Sequence, residues 1–288
     1  MASIDINGTS FEYSEDGSGE PLVFVHGSAS DYRTWQSQRD EFAKQFRTIV
    51  YSRRFHWPNE QIAEGVDYSM SEQLDDLHTL LLSLDAAPAH LVGHSYGAFL
   101  CLLLAIKEPG LVNSLVLAEP PIITLFVSDP PKPPEILKLL VSRPRTAISI
   151  INLGARGLNP AAAAVKRGDM EEAMQLFGTA VLGEESFRQL SDDRLNQVRN
   201  NLIKAEILKS GFLPVEVEQV RNMGTPILLV NGEQSPNVFH RLTDRLQELL
   251  PNSERVEIRA ASHIMHEDNV SAYNAAVLSF LERQQQTA

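Results

Sequence analysis

The sequence predicts an α/β fold: a mostly parallel, doubly wound sheet interrupted by a long helical insertion. Three observations carry this expectation. Strand-length apolar runs alternate with helix-length amphipathic runs from "LVFVHG" to "VNSLVLAEPP", as in a parallel sheet with helices on both faces. The alternation resumes at "TPILLVNG" and continues through "NVFHRLTDRLQELL" and "ERVEIRA" to "DNVSAYNAAVLSFLERQ". Between the two halves, from about Pro120 to about Pro214, the apolar spacing is helical and no convincing buried strand is visible. The expected organisation is therefore a core of residues 1–119 and 215–288 with a helical lid insertion at 120–214.

Taken in order, "IDINGTSFEYSEDGSGE" places two short strand-like runs around Asn7-Gly8, a hairpin signal. The run "LVFVHG" is apolar throughout, as expected of a strand buried on both faces. "DYRTWQSQRDEFAKQF" reads as one amphipathic helix with Asp31 as its N-cap. A strand "RTIVYS" follows, then a helix "SMSEQLDDLHTLLLSL" entered through a capping box from Ser69 to Glu72. "AHLVGHS" is a strand, and "YGAFLCLLLAIKEP" is a helix stopped by Pro109. Two prolines end the strand "VNSLVLAEPP". "PPKPPEILKLLVSRP" opens the insertion, and "EEAMQLFGTAVL" and "SFRQLSDDRLNQVRNNLIKAEILK" continue it. The final "RQQQTA" is expected to fray.

The composition narrows the function classes. The chain has 288 residues, 43% hydrophobic and 22% charged, ordinary for a globular protein with a sizeable core. A net charge of −12 disfavours binding to a phosphate backbone. The expected partner is a small molecule, with no nucleic acid and no membrane. Cys101 is the only cysteine, so no intrachain disulfide can form, and its apolar helical setting reads as packing. No basic-then-apolar leader precedes the first strand, and "AFLCLLLAI" is too short to span a bilayer. A cytoplasmic location is the expectation. The histidines show no metal-ligand spacing, so no metal and no cofactor are expected.

"LVGHSYGAF" carries the chemistry. Gly93, Ser95 and Gly97 form a Gly-x-Ser-x-Gly pattern between a predicted strand and a predicted helix. In that context the serine sits on a sharp strand-to-helix turn that lifts its hydroxyl above the strand ends. Backbone N–H groups at the helix start can stabilise a developing oxyanion. The alternative is a tight turn with no chemistry.

With this motif and the strand–helix alternation around it, the chain resembles the α/β-hydrolase superfamily over nearly its whole length. The resemblance implies the chain order nucleophile, acid, histidine. It implies a histidine after the last strand, where "RAASHIMHED" offers His263 and His266. The small residues before His263 favour it, and His266 reads as a packing or lid-facing residue. The resemblance also implies that His26-Gly27 in "VHGSAS" belongs to the substrate-binding loop. The backbone N–H of Ser28 would then pair with that of Tyr96 as oxyanion donors.

Two departures from the family pattern stand out. In "LLVNGEQSPN" the position that usually holds the acid is Ser235, which carries no charge to support an imidazolium. Glu119 in "LVLAEPP" lies just past the strand after the nucleophile's helix, at the same carboxyl edge of the sheet as Ser95. Some superfamily members, several haloalkane dehalogenases and a fungal lactonase group, are similar in carrying a Glu acid there. Glu119 is therefore the expected acid, with Glu233 as the alternative. The second departure is "RRFHWPNE", where the family has a Gly-rich turn. Arg53, Arg54 and His56 either pack this loop against the core or meet a polar substrate group.

A serine nucleophile argues against dehalogenation and epoxide opening, for which the family uses a carboxylate. Ester or lactone hydrolysis of a small, largely apolar molecule is the expected activity, through an acyl-enzyme. C–C bond or amide hydrolysis remains open. So does a non-catalytic ligand-binding or cofactor-independent oxygenase member of the same fold.

Overall fold

The structure, a computed structural model, describes residues 1–62, 66, 68–209 and 211–285. Its strands are β1 (Ala2–Ile6), β2 (Thr9–Asp16), β3 (Pro21–Val25), β4 (Arg47–Tyr51), β5 (Ala89–His94), β6 (Val112–Ala118), β7 (Ile227–Gly232) and β8 (Glu254–Ile258). They form one eight-stranded sheet in the order β1-β2-β4-β3-β5-β6-β7-β8. The β1–β2 hairpin and the β2–β4 pair are antiparallel, and every other pair is parallel. The hairpin turns on Asn7 and Gly8, both at positive φ, as a two-residue primed turn requires.

The helices outside the insertion are α1 (Gln36–Phe42), α2 (Met70–Ser83) and α3 (Tyr96–Lys107) before it. The insertion itself contains α4 (Pro133–Ser142), α5 (Pro144–Leu153), α6 (Asn159–Arg167), α7 (Met170–Leu182), α8 (Glu184–Arg188), α9 (Asp192–Asn201) and α10 (Lys204–Lys209). After it come α11 (Val217–Arg221), α12 (Asn237–Leu249), α13 (Met265–Asp268) and α14 (Val270–Gln285). Among the described residues, no helix is long and apolar enough to cross a membrane. The last three residues of "RQQQTA" lie outside the described residues, and Arg283–Gln285 continue α14.

The apolar strand runs have a simple cause. Along β3, Val23 and Val25 join a core cluster with Leu77 of α2, Phe99 of α3 and Leu242 of α12. Leu22 and Phe24 point the other way, into a cluster with Phe42 of α1 and Val277 and Phe280 of α14. Alternate residues feed opposite faces, and both faces are covered, so every position is apolar.

Capping explains the starts of two helices. Ser69 Oγ accepts the N–H of Glu72 at the head of α2, 3.2 Å away. Asp31 caps as expected, but the segment after it is not one helix. A 3₁₀ turn at Tyr32–Trp35 comes first, and α1 begins only at Gln36. The buried Asp31 carboxylate accepts Arg33 N and Arg33 Nε, each at 2.9 Å. It also accepts Gln197 Nε2 at 3.0 Å and Asn201 Nδ2 at 2.7 Å from α9. This carboxylate thus ties the tight first turn to the insertion.

The insertion packs as two parts. Leu139 of α4 and Ala147, Ile150 and Leu153 of α5 join the main core. Ala164 and Val165 of α6, Ala173 and Met174 of α7 and Val198 of α9 form a separate cluster with Ala29 from the loop after β3. Ala29 and Val198 of that second cluster also line a cavity with Ser95, at the end of β5.

Candidate active site

The sheet register brings the predicted residues to one edge. His94 pairs with Ala118 across β5 and β6, and Ala118 pairs with Val230 across β6 and β7. Ser95 and Glu119 are the next residues on their chains, and each extends the ladder: Ser95 N–H donates to Ala118 O at 2.8 Å, and Glu119 N–H to Val230 O at 3.2 Å. Both then leave their strands at φ 50, a conformation that bulky L-residues seldom adopt.

Ser95 has ψ −120 and stands as the N-cap of α3. Small neighbours make the turn possible. A Cβ on Gly93 would lie 2.4 Å from Ala98 Cα, and one on Gly97 would lie 2.2 Å from Val25 O. Tyr96 is the first residue of α3, so its N–H has no acceptor one turn back and is left for another partner.

Four donors converge on the buried Glu119 carboxylate. His263 Nδ1 lies 2.5 Å from Oε2, and Ser235 Oγ donates to the same oxygen at 2.9 Å. Asn231 Nδ2 and Gly232 N–H each donate to Oε1 at 3.0 Å. These bonds offset the cost of holding a carboxylate out of water. Glu233 faces away: it is exposed, and its Oε2 accepts Ala260 N–H at 2.8 Å. The His263 ring is held by Phe239, stacked at 3.9 Å between centroids. His94 Nε2–H donates to the carbonyl of His263 at 2.8 Å. Burial keeps His94 well below the ordinary imidazole pKa, and His266 and His263 nearby act in the same direction. His266 is a packing residue, fully buried, with Nε2 2.8 Å from Thr34 Oγ1 and its ring 4.3 Å from Trp35.

Ser95 and His263 line one cavity of about 50 Å³ together with Ser28, Phe177, Leu182 and Arg194. A second cavity of about 270 Å³ shares Ser28, Ala29 and Phe177 with the first, and adds Tyr96, Leu158, Glu206 and Phe212. A larger cleft of about 910 Å³ opens between the insertion and α12, but none of Ser95, Glu119 or His263 lines it. Neither His26 nor Gly27 lines either cavity beside Ser95. His26 is fully buried, its Nδ1–H donating to Gly27 O at 2.8 Å and its Nε2 accepting Arg53 N–H at 2.9 Å. Gly27 is needed for close approach, because a Cβ there would lie 2.8 Å from His94 Nδ1.

The sequence model of the Alpha/beta hydrolase family matches residues 22–276. This chain belongs to that family. The hydrolase is 25% identical over 283 residues to the 2-(acetamidomethylene)succinate hydrolase of Mesorhizobium japonicum, covering 97% of this chain and 94% of that protein. Its fold matches a malate-bound thermophilic esterase from Thermogutta terrifontis, with a TM-score of 0.74, 19% identity and coverage of 98% and 97% of the two chains. It also matches a meta-cleavage product hydrolase from Pseudomonas fluorescens IP01, with a TM-score of 0.63, 18% identity and 98% coverage of each chain.

In this hydrolase the charged side chains of the "RRFH" loop are packed inside the protein. Arg53, Arg54 and His56 are buried, and none lines the two cavities. Arg54 pairs with Asp76, Nη2 to Oδ1 at 2.6 Å. Arg53 Nη2 donates to Gly27 O at 3.1 Å and lies 3.3 Å from Glu206 Oε1. Glu206, on α10, also accepts the hydroxyl of Ser28 and, at 3.1 Å, that of Tyr68. Burial pushes the Glu206 carboxyl up, but Arg53, followed by His56 and Ser28, draws it down to about 2. A single carboxylate from the insertion thereby fastens the loop that presents Ser28. Neither this contact nor the donors Asn231 and His94 were marked by any motif. The one signal available for Asn231 was its place at the end of the predicted strand "TPILLVNG".

Proposed function

We propose that this hydrolase cleaves a carboxylic ester or lactone of a small, largely apolar molecule through an acyl-enzyme on Ser95. One observation carries the reading: Ser95, on a strained turn, shares a cavity with His263, and the other side of that imidazole is bonded to buried Glu119. Glu119 fixes the tautomer with the proton on Nδ1, which leaves Nε2 free to accept a proton. Ser95 Oγ attacks the carbonyl carbon as its proton passes to His263 Nε2. The N–H groups of Ser28 and Tyr96 receive the negative oxygen. The tetrahedral adduct then collapses, and the alkoxide leaves with the proton from Nε2. Water repeats the sequence on the acyl-enzyme and releases the acid. In this reading residues 120–214 act as the lid that excludes bulk water and shapes the acyl and alcohol subsites.

A second reading, C–C bond or amide hydrolysis by the same residues, draws support from the names of two similar proteins, the meta-cleavage product hydrolase and the 2-(acetamidomethylene)succinate hydrolase. The test is turnover of an activated short-chain ester by the wild type and by Ser95→Ala. The expected loss in the variant is on the order of 10⁴-fold or more. Wild-type turnover that survives in Ser95→Ala rejects the proposal. Rapid cleavage of a vinylogous diketone with no ester turnover selects the second reading.

A further inference from the structure

We infer that Arg194 is a receptor for a carboxylate on the substrate, so that this hydrolase acts on esters or lactones carrying one acidic group. The inference rests on the ester-hydrolase reading above and narrows its substrate class. Arg194, on α9, lines the same cavity as Ser95 and His263. The rest of that wall is largely apolar, including Phe177, Val181, Leu182 and Phe187. The guanidinium is held at one point: Nε donates to Glu267 Oε2 at 2.8 Å, and Glu267 in turn accepts the hydroxyl of Thr34. Nη1 is shut off from solvent and, among the described residues, has no hydrogen-bond partner.

Glu267 balances the charge through Nε, but a buried guanidinium N–H without an acceptor is still costly, and an anion entering the cavity would supply one. A planar guanidinium suits a carboxylate. Arg194 is the one Arg or Lys among the residues that line the cavity, which favours a carboxylate over a phosphate held by several cations. Glu267 fixes the guanidinium through Nε, and Nη1 is the nitrogen left without an acceptor among the described residues.

The test compares aryl pentanoate with aryl hydrogen glutarate, five-carbon acyl groups that differ at the far end. A second pair, 4-methylphenyl acetate and the acetate ester of 4-hydroxybenzoate, places the charge on the alcohol side. In one pair the wild type is expected to prefer the anionic ester by about 10- to 100-fold in kcat/KM, expressed mainly in KM. The readout is this ratio. It should fall to near one in Arg194→Gln and be partly kept in Arg194→Lys. Turnover without an anionic preference in either pair, or a preference that persists in Arg194→Gln, overturns the inference and leaves the ester-hydrolase reading standing. No turnover of any of the four esters defeats that reading itself, and the inference with it.

Discussion

Replacing Glu119 with Gln tests its proposed role as the triad acid without changing its shape. Two fixed donors, Asn231 Nδ2 and Gly232 N–H, meet Oε1 at 3.0 Å. In the variant the amide oxygen must take that place, since an amide nitrogen there would face two N–H groups. The NH₂ group then occupies the Oε2 position, 2.5 Å from His263 Nδ1 and 2.9 Å from Ser235 Oγ. Ser235 can rotate its proton and accept. His263 can accept on Nδ1 only by moving its own proton to Nε2, which removes the base proposed for Ser95. The loss should approach that of an Asp-to-Asn change in a serine protease triad, about 10⁴ in kcat, or roughly 5.5 kcal/mol of barrier. Steady-state hydrolysis of an activated ester measures it. Adding Ser235→Asp to Glu119→Gln returns a carboxylate beside the same imidazole and should recover at least about tenfold. A Glu119→Gln enzyme that keeps one tenth of wild-type kcat would refute the reasoning.

Two further outcomes follow from the buried titratable groups. His26, His56, His94 and His266 are all held below the ordinary imidazole pKa of 6.5, in each case chiefly by burial. They are neutral when folded and take up protons on unfolding, so their contribution is present above about pH 6.5 and lost as pH falls below it. Each adds up to about 1.4 kcal/mol per pH unit to that loss. Urea midpoints from pH 8 to pH 5 should be level at first and then drop, and a flat profile to pH 5 would contradict the burial argument. Glu206→Gln leaves Arg53 buried without its counter-ion, which should cost about 3–5 kcal/mol in urea unfolding. A change below about 1 kcal/mol would show that the contact does not hold the Ser28 loop.

Much of the fold was legible because local patterns imposed it. Strands buried on two faces must be apolar throughout, and Gly93 and Gly97 mark a turn that no larger residue fits. The positions of Ser95 and Glu119 at one edge also follow from strand order. What the sequence hid depends on long-range neighbours. Ser235 read as an empty acid position, yet it donates to the carboxylate 116 residues away. His26 read as part of a substrate loop, yet its ring is spent on Gly27 and Arg53. The divided start of the first helix was hidden for the same reason: the capping carboxylate of Asp31 also binds Gln197 and Asn201 on a helix far along the chain.

The most direct measurement is the mass of the intact protein after brief exposure to an activated organophosphonate, followed by peptide mapping. One adduct is expected, on Ser95, formed much more slowly in His263→Ala and in Glu119→Gln and absent from Ser95→Ala. An adduct on another residue, or labelling of Ser95 at an unchanged rate in both His263→Ala and Glu119→Gln, would contradict it.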